Sequence, residues 1–225
     1  NKDSKQNFVL SEYTRREKKI LFGVDSFVVC GALDDNSFSK KLKISGINKN
    51  HKKPLILTIA RLDENKRIDE LLKAFQSFLD SYPDAHLLIG GRGPAQESLE
   101  LLCFDLEISK SVEFLGFIAE EDLLSIYASA DLFVSIDWAD YRITMYEALL
   151  ANTRVLISNE TDHDPFLVES GYLSLCTPKA SSCHLAMLKA FESSPSISED
   201  ELKTYLRKFT WNNYCRTIAE ALTSS

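Results

Sequence analysis

From residue 54 onward, short runs of β-branched and leucine-rich residues alternate with stretches whose apolar positions recur at helical spacing. The runs are PLILTIA (54–60), AHLLIG (85–90), SVEFLG (111–116), DLFVSI (131–136) and RVLIS (154–158), with GYLSL (171–175) as a candidate sixth. This alternation predicts a parallel sheet joined by crossover helices. Between the first two runs, Ile68, Leu71, Leu72, Phe75, Phe78, Leu79 and Tyr82 fall on one helical face, with Asn65 placed to cap the start and Pro83 following the end. Further helices fit 95–107, 120–129 and 145–151.

Residues 1–50 stand outside that alternation. NFVL reads as a strand, SEYTRREKKILFG as a capped basic helix with a glycine stop, and VDSFVVC as another strand. The polar, lysine-rich SKKLKISGINKNHKK that follows has the composition of a linker. After Pro195 come two helical stretches, SEDELKTYLRKF and WNNYCRTIAEAL. The chain thus divides into 1–50, an alternating α/β unit over 51–195, and terminal helices over 196–225.

The 44% hydrophobic content of the 225 residues is enough for a sizeable core. A net charge of -7 argues against a nonspecific nucleic-acid binder, which needs a basic field. Five cysteines, at 30, 103, 176, 183 and 215, are odd in number and never in CxxC, which fits reduced thiols better than a disulfide or zinc framework. The cytoplasm is the expected compartment. No apolar run approaches the ~20 residues needed to span a bilayer. The chain opens on Asn1 without a signal-peptide pattern, which suggests a piece of a longer polypeptide.

Open parallel sheets bind ligands at the carboxyl ends of their strands. After the first strand, ARLDENKRID carries Arg61 and Lys66 beside a helix start, where a guanidinium and an ammonium suit a diphosphate. Solvated side chains are the plain alternative. After the second strand, GGRGPAQESL offers Gly90, Gly91 and Gly93 for a close backbone approach, although it matches neither GxGxxG nor a P-loop. The absence of GxGxxG after the first strand weighs against a dinucleotide-dependent oxidoreductase. Asp162-His163-Asp164 invites a metal reading, but three adjacent residues rarely converge on one ion, so a polar loop is expected. His51, His86 and His184 lack ligand-like spacing.

DYRITMYEALLANTRVLIS (140–158) places one acidic residue, Glu147, at the head of an apolar helix. Two roles compete for it. Thr144 and Glu147 have the spacing of a capping box, in which the hydroxyl and the carboxylate each take an orphan amide. Alternatively, the carboxylate grips a ligand hydroxyl.

Several of these pieces, in this order, resemble the C-terminal half of the retaining glycosyltransferases of family GT4, which have the GT-B fold. They are ILTIARLDENKRIDELLKAF, LLIGGRGPAQESLELL, VEFLGFIAEEDLLSIYASADLFVS, YEALLANTRVLIS and the late FTW. FVLSEYTRREKKILFGVDSFVVCGALD looks like the end of the family's N-terminal domain and its crossing segment. The resemblance implies a Rossmann-like parallel sheet with helices on both faces, forming the nucleotide-sugar donor domain. It matches Arg61 and Lys66 to the catalytic cationic pair on the donor diphosphate and Glu147 to the carboxylate on the ribose hydroxyls. Gly91, Gly93, Arg142, Ile143 and Thr144 are expected to complete the donor site.

The implied reaction transfers a sugar with retention of configuration and needs no metal or other cofactor. Its acceptor, a glycan, lipid or protein, would be held by an N-terminal domain, with peripheral contact to the inner face of a membrane in the full-length protein. The chain departs from the family at Ala139, where a glutamate leads an E-x7-E spacing, and at Arg142, where a glycine is usual. Asp137 and Asp140 are nearby carboxylates without the matching spacing. A degenerate domain that binds a nucleotide or partner without chemistry is the alternative that these two residues favour.

Overall fold

The computed structural model describes residues 6–39 and 54–223. Beyond Ser39, the expected linker lies outside the described residues, as does His51. At the N-terminus, β1 (Phe8–Val9) and β2 (Phe27–Val28) pair in parallel around helix α1 (Glu12–Phe22). The Ser11 hydroxyl accepts the Thr14 amide to start α1, and Gly23, with φ of 67°, ends it in the left-handed region.

The alternating unit builds β3 (Leu55–Ile59), α2 (Ile68–Leu79), β4 (His86–Gly90), α3 (Gln96–Asp105), β5 (Val112–Gly116), α4 (Glu120–Ser129) and β6 (Leu132–Ser135). It continues through α5 (Ile143–Leu150), β7 (Arg154–Ser158), α6 (Pro165–Glu169), β8 (Leu173–Cys176) and α7 (Ala180–Glu192). All neighbouring strands pair in parallel, in the order β5-β4-β3-β6-β7-β8. That is the doubly wound Rossmann order, with its reversal between β3 and β6. The candidate sixth strand is present as β8.

Both faces of the sheet are covered, so consecutive strand residues enter opposite cores. Ile56, Leu132, Val134 and Leu156 pack with α2, α3 and α7 on one side. Leu57, Phe133, Val155 and Ile157 pack with α5 on the other. The second core also takes Leu202 and Leu206 from α8 (Glu199–Leu206), together with Phe209 and Leu33. The amides of Ala32 and Leu33 donate to the Phe209 carbonyl at 2.8 and 3.1 Å, which ties the segment before the linker to the start of α9 (Trp211–Thr223).

Three local expectations are corrected. Asn65 does not cap α2: residues 64–66 form a 3-10 turn, and Arg67, at φ of 54°, precedes the helix. Thr144 and Glu147 form no capping box, because α5 begins one residue before Thr144 and its N-cap, Arg142, makes no side-chain cap bond. A capping box does form at α8, where Ser198 and Glu201 bond reciprocally. Finally, α7 arises where no helix was expected; its buried stripe of Cys183, Met187 and Ala190 is too small and sparse to stand out.

Candidate functional site

The strand-order reversal gathers three loops at the carboxyl ends of β3, β4 and β6. Arg61 and Lys66 lie on the first. Arg61 is exposed and pairs with Asp63 at 3.0 Å. Lys66 is half-buried, and its Nζ donates to Oδ2 of the buried Asp137 at 2.7 Å. The other Asp137 oxygen accepts the Ser135 hydroxyl at 2.8 Å.

The glycine loop after β4 is pinned by its neighbours. Gly91 donates to the Gly116 carbonyl at 2.7 Å, and the Arg92 carbonyl accepts the Leu62 amide at 3.1 Å. A Cβ on Gly91, at φ of +118°, would stand 1.8 Å from the Ala60 carbonyl oxygen; one on Gly93 would stand 2.3 Å from that of Leu62. The close approach that these glycines permit is therefore to the Arg61 loop itself. At Gly90 the neighbour is the Ile118 side chain, 2.4 Å from a Cβ built there.

The loop after β6 is held from both sides. Asp140 accepts from the Ser11 and Thr14 hydroxyls, the latter at 2.6 Å, and so docks the start of α1. Arg142 turns inward, with a side chain only 5% exposed. Its Nη2 donates to the Asp137 carbonyl at 2.5 Å and its Nη1 to the Thr161 hydroxyl at 3.1 Å. Its Nε is buried, without a hydrogen-bond partner among the described residues, 4.0 Å from Asp137 Oδ1. Burial holds the Arg142 guanidinium below its ordinary range, with Asp137 and Glu160 opposing that shift. Beside it, Arg67 bridges the loops after β6 and β7, donating to the Ile136 carbonyl at 3.2 Å and pairing with Glu160.

Glu147 sits one turn into α5, where the Tyr127 hydroxyl donates to its Oε2 at 3.2 Å. Desolvation raises its pKa; the Tyr127 bond pulls the other way and nearby Glu120 adds to the rise. Glu147, Tyr127 and Ile143 line a cavity of about 540 Å³, together with Leu33 and Trp211. Thr144 is half-buried at the same helix start. Arg61 and Lys66 are absent from that lining, so the carboxylate and the cationic loop belong to adjacent but distinct features.

The DHD segment disperses. Asp162 pairs with Arg16 of α1 at 2.7 Å, and Asp164 caps α6 while accepting the Tyr205 hydroxyl. Among the described residues, no cluster of three or more His, Cys, Asp or Glu could hold a metal. Nor is any helix there long and apolar enough to cross a membrane.

Sequence reasoning singled out Glu147 and the Arg61 loop but missed Tyr127, Arg67, Glu160 and Thr161. Arg67 had a readable signal in its position directly after Lys66. The other three carry none, because their partners are distant in the chain.

The strand order, with its reversal between β3 and β6 and helices on both faces, is that of a domain of the GT-B glycosyltransferase fold. Residues 39–208 match the family described as glycosyl transferases group 1, and the chain belongs to that family. An uncharacterised glycosyltransferase of Methanocaldococcus jannaschii is 35% identical over 106 residues, covering 47% of this chain and 27% of the relative. The alpha-monoglucosyldiacylglycerol synthase of Acholeplasma laidlawii is 31% identical over 116 residues, covering 51% and 29%. The chain thus spans about a third or less of the length of these relatives. Among solved structures, Anabaena HepE in complex with UDP superposes with a TM-score of 0.83 at 18% identity, covering 100% of this chain and 65% of that one. The galactosyltransferase WaaB gives 0.80 at 16%, covering 98% and 62%. Likenesses at this identity establish the fold.

Proposed function

We propose that this chain is the donor-binding domain of a glycosyltransferase that moves a sugar from a nucleotide-sugar to an acceptor with retention of configuration. The observation that carries the reading is the position of Arg61, Lys66 and Glu147 on the two sides of the β3/β6 reversal, in a chain of the group 1 family. In this reading Glu147 takes the ribose hydroxyls from the cavity under α4 and α5. The diphosphate runs over the crevice onto Arg61 and Lys66, which meet the charge growing on the leaving group. Gly91 and Gly93 hold the Arg61 loop in place by letting the two backbones touch. Ile143 and Thr144 border the donor at the start of α5.

Catalysis in this reading needs no metal. The acceptor, a glycan, lipid or protein, is held by a further domain of the whole cytoplasmic protein, which contacts a membrane surface peripherally. The 225 residues alone bind donor without turnover. Thermal melts with UDP, GDP and ADP against their nucleosides test the donor assignment: a diphosphate must protect more than its nucleoside, and EDTA must leave that protection intact. Transfer by the full-length protein, with the anomeric configuration of the product read by NMR, tests the reaction. A second reading, donor binding without transfer, is favoured by Ala139 and by the inward Arg142. Transfer by the full-length wild type would exclude it.

A further inference from the structure

Lys66 is already engaged: one of its three ammonium donors goes to Asp137 at 2.7 Å. Asp137 is buried, with a side chain 7% exposed, so withdrawing Lys66 would strand its charge. A replacement stands close by. Nε of Arg142 is a buried donor with no hydrogen-bond partner among the described residues, 4.0 Å from Asp137 Oδ1. Both Nη atoms of Arg142 are fixed, by Thr161 and by the carbonyl of Asp137 itself, so the guanidinium is held still. A charge-assisted bond needs about 2.7–2.9 Å, so Asp137 must turn its carboxylate away from Lys66 to close the gap. Buried donors are rarely left unsatisfied, and an orphan beside a carboxylate calls for a reason.

We infer that Asp137 is a positioning residue shared between two cations: it holds Lys66 in reserve and shifts to Arg142 Nε when Lys66 turns to a diphosphate. This rests on the diphosphate role proposed for Lys66. Arg142 then has a task that a glycine could not perform, which gives the departure at this position a physical reason. Asp137 remains paired throughout, and Lys66 is released without leaving a buried charge uncompensated.

The test is a double-mutant cycle on the 225-residue chain, with UDP, inorganic pyrophosphate and uridine titrated calorimetrically into wild type, Asp137→Asn, Arg142→Gln and the double variant. Asparagine still accepts from Ser135 but carries no charge to hold Lys66, so UDP and pyrophosphate should bind about two- to fivefold tighter, the difference between the Lys66 and the Arg142 pairings of the carboxylate. Arg142→Gln should weaken both by about tenfold or more, because Lys66 can no longer leave Asp137. In the Asp137→Asn background, Arg142→Gln should change nothing further. Uridine, which lacks the diphosphate, should bind all four alike.

A purely structural Arg142 would lower uridine affinity as well, and by the same factor with or without Asp137. Either result overturns the handover. If Arg142→Gln does not fold, Asp137→Asn decides alone: UDP affinity equal to or below wild type overturns it. The two levels fail differently. A wild type that binds UDP no better than uridine defeats the diphosphate assignment, and the handover with it. A wild type that prefers UDP, combined with an additive cycle, defeats only the handover.

Discussion

The Tyr127 hydroxyl donates to Oε2 of Glu147 at 3.2 Å, which joins α4 to α5 across twenty residues of chain. The carboxylate faces a cavity instead of its own helix start. Its environment is costly for a charge, since desolvation is the largest influence on its pKa.

That cost has a sign. A carboxyl whose folded-state pKa lies above its unfolded value takes up protons on folding, so stability falls as pH rises from the unfolded value, about 4.3, through the folded one. Glu147→Gln removes the penalty. The variant should melt at or above wild type at pH 7, with the advantage shrinking as pH falls towards the unfolded value. Melts from pH 4 to pH 8 check this, and a Gln variant less stable than wild type at neutral pH contradicts it. The same variant should bind UDP less well than wild type, with no such defect for a 2′,3′-dideoxy analogue.

Arg142→Ala should cost about 2 to 4 kcal/mol of stability, because it deletes two buried hydrogen bonds and opens a void between the loops after β6 and β7. Urea unfolding followed by circular dichroism measures it. A variant as stable as wild type would mean that the inward guanidinium contributes nothing to the fold.

The glycine loop offers a contrast within one chain. Gly91→Ala and Gly93→Ala each drive a methyl into backbone, so each should cost about 3 kcal/mol or more. Gly23→Ala meets open space, and only its positive φ is penalised, by about 1 kcal/mol. Melting temperatures of the three variants should fall in that order. Equal shifts would show that the loops relax apart without penalty.

Arg61 should separate binding from folding. It is exposed, and among the described residues its ion pair is with Asp63, two positions away, so Arg61→Ala should change stability by no more than about 0.5 kcal/mol. Its loss should weaken UDP binding by about 1.5 to 3 kcal/mol, the range for hydrogen bonds to charged groups. Unchanged UDP affinity would remove Arg61 from the diphosphate site.

Much of the architecture was legible in the chain because it is set by local pattern. Ile56 and Leu57, adjacent in sequence, must point into opposite cores, and a run of such residues reads as a strand covered on both faces. The stripe from Ile68 to Phe78 fixes α2 in the same way, and α4 falls on residues 120–129 as its spacing predicts. Where the stripe is weak, as in α7, the pattern is silent, and packing against α2 decides. The site divides along the same line. Residue type and order singled out Arg61 and Lys66 after β3 and Glu147 in the helix after β6. Only the tertiary structure decided that Lys66 is held by a carboxylate 71 residues away, that Glu147 answers to Tyr127 instead of Thr144, and that Arg142 points into the protein. These contacts depend on which loops the sheet order brings side by side, and a pairing energy between distant residues leaves no period in the sequence.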